Sequence, residues 1–147
     1  MREIKFQALV IKHKLSNLGP NMHWAGIDSY EEIIDVYDIS FDNGKIDYVA
    51  DKDGDEYSFA DKSLKAVRQY TGLKDKNGSE IYEGDIVRGS LRLHEDVDPS
   101  MRKVCMHNGC YMFGVWNAHE YFNKHQHIEV VGNIYQNPEL LTESGMR

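Results

Sequence analysis

Little in this chain could fix it covalently or anchor it. Two cysteines occur in 147 residues, Cys105 and Cys110, too few for a disulfide framework. No run approaches the ~20 apolar residues of a membrane-spanning helix. The charges at Arg2, Glu3 and Lys5 leave no room for the apolar stretch of a signal peptide, so a cytoplasmic protein is expected. Basic charge is short as well, with 17 Lys and Arg against 24 Asp and Glu. The resulting net charge of −7 repels a phosphate backbone and weighs against strong non-specific nucleic-acid binding. A Gly-rich phosphate loop, a Gly-x-Ser-x-Gly elbow and an RNA-stacking aromatic motif are all missing. So is a fixed repeat of solenoid length.

What is present suffices for a core. The content is 41% hydrophobic and 11% aromatic, which excludes global disorder, and the length fits one domain or a small domain with an appended piece. Charge is uneven along the chain. Asp28 to Asp61 holds 12 acidic and 2 basic residues, a balance of −10, whereas Lys62 to Arg92 holds 7 basic and 4 acidic residues, a balance of +3. The acidic run reads first as a solvated face.

Short strands and tight turns dominate. Arg2 to Ile11 alternates imperfectly, with Ile4, Phe6, Ala8 and Val10 on the inner side and Glu3, Lys5, Gln7 and Leu9 on the outer, as a half-buried strand. Lys12 to Gly26 reads as a loop whose Met22 and Trp24 pack back onto the body. Ser29 and Glu32 have the spacing of a capping box and predict at most one helical turn before strand resumes. Turns at Asp42-Asn43-Gly44 and Asp51-Lys52-Asp53-Gly54 then separate strands over 36–41, 46–49 and 56–59, a meander. Arg88 to Met101 reads as a long exposed loop. Arg102 to Trp116 is a hairpin about Asn108-Gly109, in which Val104, Met106, Tyr111, Phe113 and Val115 share the buried face and Cys105, His107, Cys110, Met112 and Trp116 the other. One helical turn is expected within 117–126 and a strand over 127–134. Asn137-Pro138 stops that strand, and Glu139 to Leu141 forms a short terminal turn.

The densest local instructions lie in Gln69 to Val87, QYTGLKDKNGSEIYEGDIV. Thr71-Gly72-Leu73 ends one segment, Asp75-Lys76-Asn77-Gly78 writes a tight turn, and Glu83-Gly84-Asp85 reverses the chain before Ile86-Val87. With HIEVVGNIYQNPELL (127–141) and the opening MREIKF, this stretch resembles the YopX family of bacteriophage and prophage proteins. The likeness covers the start, middle and end of the chain, while residues 11–64 and 90–126 match loosely. It implies a small β-rich protein with an SH3-type barrel in its C-terminal part, and brings no established activity or catalytic residue.

Four groupings invite a chemical reading. Cys105, His107 and Cys110 share a hairpin face and form the beginning of a zinc site, though the cysteine spacing is unusual and a fourth ligand such as His119 would have to be recruited. The plainer reading makes the thiols small hydrophobes. A Cys105–Cys110 disulfide is disfavoured because diagonal neighbours lie roughly 7–8 Å apart. His119, Glu120, His125 and His127 could hold a catalytic cation, yet match no His-Glu-x-x-His helix. An EF-hand begun at Asp51 needs Gly sixth and Glu twelfth, where Glu56 and Lys62 stand, so a turn is the better account. Glu83 and Asp85 could serve acid–base chemistry, but Asp85 more simply accepts the backbone N–H groups that fix its turn.

The expectation is therefore a mainly β protein with an N-terminal β-meander segment (1–62) packed on an SH3-type small barrel (63–141), followed by a tail (142–147). No catalytic, cofactor or metal site is assigned. The expected activity is non-enzymatic: a phage or prophage accessory or adaptor that binds another macromolecule, of protein nature, in the bacterial host cell, without membrane association. Binding of nucleic acid through a basic 62–92 face is the alternative, and a metal-dependent hydrolase the third reading. Many short strands in a small chain, with Trp24, Tyr37, Trp116 and Tyr121 left over as apolar surface, predict a homo-oligomer.

Overall fold

A computed structural model describes residues 3–16, 26–93 and 99–143. The chain is mainly β, with curled sheets, and divides into two compact units: residues 5–67, and residues 68–147 together with 1–4.

In the N-terminal unit, β1 (Phe6–Ser16) and β2 (Gly26–Asp35) pair antiparallel without a register break. β1 is longer than expected, running through what reads as loop, and Met22 and Trp24 lie outside the described residues. The helical turn at Ser29 does not form. Cross-strand pairing overrides a local capping signal, and Ser29 Oγ instead shares a hydrogen bond of 3.2 Å with His13 Nδ1 on the facing strand. β3 (Asp38–Asp42), β4 (Lys45–Ala50) and β5 (Glu56–Ser58) form the expected meander as a three-stranded sheet. The turn between β3 and β4 holds Asn43 and Gly44 both at positive φ, as the Asn-Gly pair predicts. Ala8, Val10, Ile34, Val49, Tyr57 and Leu64 make the core of this unit. Leu9, expected to face outward, is buried too, and Ile4, expected to face inward, is exposed.

β6 (Leu64–Lys74) begins in this unit, hydrogen-bonds beside β1, and ends in the C-terminal unit against β7 (Glu80–Tyr82). Thr71-Gly72-Leu73 does not end the strand. Gly72 at φ +88° and a register shift absorb an irregularity, and the Thr71 hydroxyl donates to Ile81 O, so the ladder resumes at Lys74.

The C-terminal unit adds β8 (Asp85–Leu91), β9 (Ser100–His107), β10 (Cys110–Phe113), β11 (Trp116–Asn117), helix α1 (Ala118–Lys124), β12 (His125–Asn133) and the short helix α2 (Glu139–Glu143). Its antiparallel sheet has the order β11-β10-β9-β8-β12. The two ends of the anticipated exposed loop are thus strand, because β8 extends to Leu91 and β9 starts at Ser100. The expected helical turn is a seven-residue helix whose N-cap, Asn117, accepts the Glu120 N–H.

The hairpin register is the one the Asn108-Gly109 turn predicts: His107 faces Cys110, Met106 faces Tyr111 and Cys105 faces Met112. The assignment of faces needs correction at its ends. Val104 and Phe113 are fully buried, but Met106 near the tip is 44% exposed and Val115 is 74% exposed. The core of Ile81, Val87, Val104, Phe113, Tyr121 and Ile128 reaches only the base of the hairpin. Gly114 at positive φ breaks the alternation, so half-buried Trp116 packs on that core in place of Val115. Gly89 is glycine for a steric reason: a Cβ there would lie 2.6 Å from the Tyr121 hydroxyl oxygen.

Candidate functional site

The central motif is held by carboxylates aimed at backbone. Asp85 is buried, and its Oδ2 accepts the Tyr82 N–H at 2.7 Å, the turn-fixing role expected of it. Its Oδ1 meets the Arg68 guanidinium at 2.6 Å, a partner 17 residues away that local reading misses. Burial pushes the Asp85 carboxyl up, while the Tyr82 N–H and Arg68 pull the other way. Glu83 Oε1 accepts the Gln69 N–H, and Arg68 also donates to Glu83 O and lies over the Tyr82 ring. Gly84 sits at φ +85°, donating to Val104 O and accepting from Ile134 N. Asp75 does similar work: Oδ1 accepts from Asn77 and Ser79, and Oδ2 reaches Val130 N on β12, each at 2.9 Å. Burial works to raise its pKa, but the three N–H donors outweigh that and hold it below the usual carboxylate range. These groups spend their hydrogen-bonding capacity on the fold.

The histidine grouping does not converge. His119 and His127 are exposed, and His119 bonds Asn123 one helical turn on. His125 is buried, its Nδ1 2.9 Å from Tyr121 O, its ring stacked on Tyr121 at 4.1 Å and edge-on to Trp116. Burial holds its pKa below the ordinary histidine value and pushes the Tyr121 hydroxyl up to about 12. On the hairpin, Cys105 is half-buried while His107 and Cys110 are exposed. Among the described residues, the group of three metal-ligating side chains with ligand atoms within 4.8 Å of one another is Asp51, Asp53 and Asp55. There Asp51 Oδ1 accepts the N–H groups of Asp53 and Asp55, which makes the segment the expected turn.

The most distinctive surface lies on the N-terminal unit. A groove of about 370 Å³ is walled by Glu32, Asp35, Tyr37, Asp51 and Asp53, with Lys12 and Lys52. A second, of about 470 Å³, is walled by Tyr30, Asp55, Glu56, Tyr57 and Asp61, and Lys12 again belongs to its wall. The ammonium of Lys12 is tied to Glu32 at 2.6 Å, and hydrogen bonding to that carboxylate holds its pKa above the ordinary lysine value. The same unit exposes Tyr30, Tyr37, Phe41 and Phe59. Of the aromatic residues expected as surplus apolar surface, Tyr37 alone is 69% exposed. Tyr121 is fully buried, Trp116 is half-buried, and Trp24 is outside the described residues. The acidic run was legible in sequence, but its folding into grooves with tyrosines was not.

The basic 62–92 segment is partly spent. Arg68 is buried against Asp85, and Lys76 and Arg88 flank Glu129 at 4.0 and 2.9 Å.

Fold and surface together define a mainly β protein whose buried polar groups serve its turns and whose N-terminal unit displays an acidic, tyrosine-bearing face. The chain belongs to the YopX family, whose family model (YopX protein) matches residues 20–142. Among solved structures it is similar to protein EF1440 from Enterococcus faecalis, with a TM-score of 0.54 and 24% identity, over 96% of this chain and 99% of that one. That likeness concerns the fold alone. No curated protein matches the chain significantly. Among the described residues, no helix is long and apolar enough to cross a membrane.

Proposed function

We propose that this protein is a non-enzymatic accessory or adaptor protein of a phage or prophage, acting in the cytoplasm of the bacterial host by binding another protein. The observation that carries this reading is the exposed aromatic surface of the N-terminal unit, where Tyr37, Phe41, Phe59 and Tyr30 are 69, 59, 45 and 44% exposed. Large aromatic side chains left in the open are the residue types that protein contact surfaces are enriched in. The commitment of Asp75, Asp85 and His125 to backbone partners favours binding over catalysis. The pairing of Arg68, Lys76 and Arg88 with carboxylates favours a protein over a nucleic-acid partner. An SH3-type barrel in the C-terminal unit is the finer fold assignment. It is supported by a four-strand meander, β8 to β11, whose fifth strand returns through α1 to pair beside β8.

The test is tagged-protein capture from host cells with quantitative mass spectrometry, followed by reconstitution with the purified partner. We expect one protein to be enriched and to form a stoichiometric complex that Phe41→Ser/Phe59→Ser weakens. Failure of any captured protein to re-form a complex from purified components would remove the adaptor reading.

A further inference from the structure

We propose that the paired acidic grooves of the N-terminal unit bind a segment of a partner protein rich in arginine and lysine. This rests on the adaptor reading and names the chemistry of the partner.

Charge complementarity is the first argument. Four carboxylates wall one groove and three the other, against two lysines, a balance of −5. Since Lys12 is already neutralised by Glu32, much of the remaining acidic charge faces open space. Such a surface repels phosphate backbones and anionic lipid headgroups and attracts cationic side chains.

The aromatic groups are the second argument, and they point to a ligand with hydrogen-bond donors and planar cations. Tyr57 is 9% exposed, and what remains open lies in the wall of the second groove. Its hydroxyl has no hydrogen-bond partner among the described residues. A hydroxyl left open at a groove wall, on a side chain otherwise packed into the fold, is an acceptor for a guanidinium or ammonium N–H. Tyr30 and Tyr37 place one exposed ring in each groove. Such rings offer π faces to cations, arginine in particular. Because Lys12 belongs to both walls, the two grooves adjoin, as an extended segment with successive basic side chains requires.

The experiment is fluorescence anisotropy on the full chain with a labelled peptide in which arginine alternates with serine. A glutamate–serine peptide is the control. We expect salt-sensitive binding of the arginine peptide only. Asp53→Asn/Asp55→Asn/Glu56→Gln should weaken it by about tenfold or more, while Glu31→Gln/Asp42→Asn/Asp47→Asn, with the same loss of charge outside the groove walls, should weaken it less than about threefold. Tyr57→Phe should cost roughly three- to tenfold, as loss of one ordinary, solvent-accessible hydrogen bond does. Equal weakening by the two triple variants would mean undirected charge attraction and overturn the proposal. So would absence of binding, or a thermal shift with calcium chloride alone that the first triple variant abolishes while the peptide does not bind. Should the peptide fail while a host protein is still captured and reconstituted, the adaptor reading stands and this inference falls.

Discussion

Arg68 and Asp85 make the plainest case at the scale of single residues, because both are buried and each neutralises the other. Removing one partner strands a charge in a poorly solvated place, which costs far more than the pair contributes. Arg68→Met is expected to destabilise by about 3–5 kcal/mol. Adding Asp85→Asn, which keeps an acceptor for the Tyr82 N–H, should recover about 1–2 kcal/mol of that. Urea denaturation of the three proteins checks this, and a double variant no more stable than Arg68→Met would show that Asp85 is not left as an uncompensated charge. His125 gives a pH prediction. Its folded pKa is held below the ordinary value of 6.5, first by burial, so just under that pH the unfolded chain binds the proton and the folded chain does not. Stability is thus retained above about 6.5 and lost as pH falls from there toward the folded pKa. Denaturation midpoints at pH 7.5 and 5.5 should differ less in His125→Phe than in the parent; an unchanged difference would assign the effect to other groups.

At the scale of elements, the β9–β10 hairpin shows how far a turn signal carries. Asn108-Gly109 sets the register, because two positive-φ residues in succession are cheap only for such a pair. Alternation then places Val104 and Phe113 on the buried face, but it fails past Gly114, where Trp116 and not Val115 meets the core, and how far the core extends along the hairpin is not a local property. Phe113→Ala should cost about 3–5 kcal/mol and Met106→Ala within about 0.5 kcal/mol, since the first side chain is fully buried and the second is 44% exposed. Similar losses at both positions would refute the described depth of the core. β8 carries a second test. Gly89→Ala places a methyl group against Tyr121, itself fully buried, and should destabilise by about 1–3 kcal/mol through overpacking; thermal melting that matches the parent would mean the ring has room to move.

For the whole molecule, self-association remains the expectation from exposed strand edges and the apolar side chains of the N-terminal unit. Its basis has shifted from Trp116 and Tyr121, which the C-terminal core takes up, to Tyr30, Tyr37, Phe41 and Phe59. Light scattering at micromolar concentration should give a mass above the 17.0 kDa of one chain, increasing with salt as repulsion between acidic faces is screened. A monomeric mass at both low and high salt ends the idea. Elemental analysis of the purified protein is expected to find no stoichiometric zinc. About one zinc per chain, lost in Cys105→Ser/Cys110→Ser, would make the hairpin face a metal site after all.

Sequence alone determined the turns and most strand identities, from Asp42-Asn43-Gly44 to Asn137-Pro138, because positive φ and the missing proline N–H are constraints a residue carries with it. It also determined the family, through the motifs at 69–87 and 127–141, and the acidic character of residues 28–61. Tertiary structure decided the rest. It made Ser29 a strand residue, carried β6 through Gly72, gave Asp85 the distant Arg68, and buried His125 while leaving His119 and His127 outside. For Ser29, Gly72 and Asp85 the deciding partner stood on another strand, and its hydrogen bonding outweighed a local preference of about a kcal/mol; His125 was taken in by the nearby rings of Tyr121 and Trp116. The acidic run became two grooves with tyrosines in their walls for the same reason: pairing between strands decides which side chains share a surface.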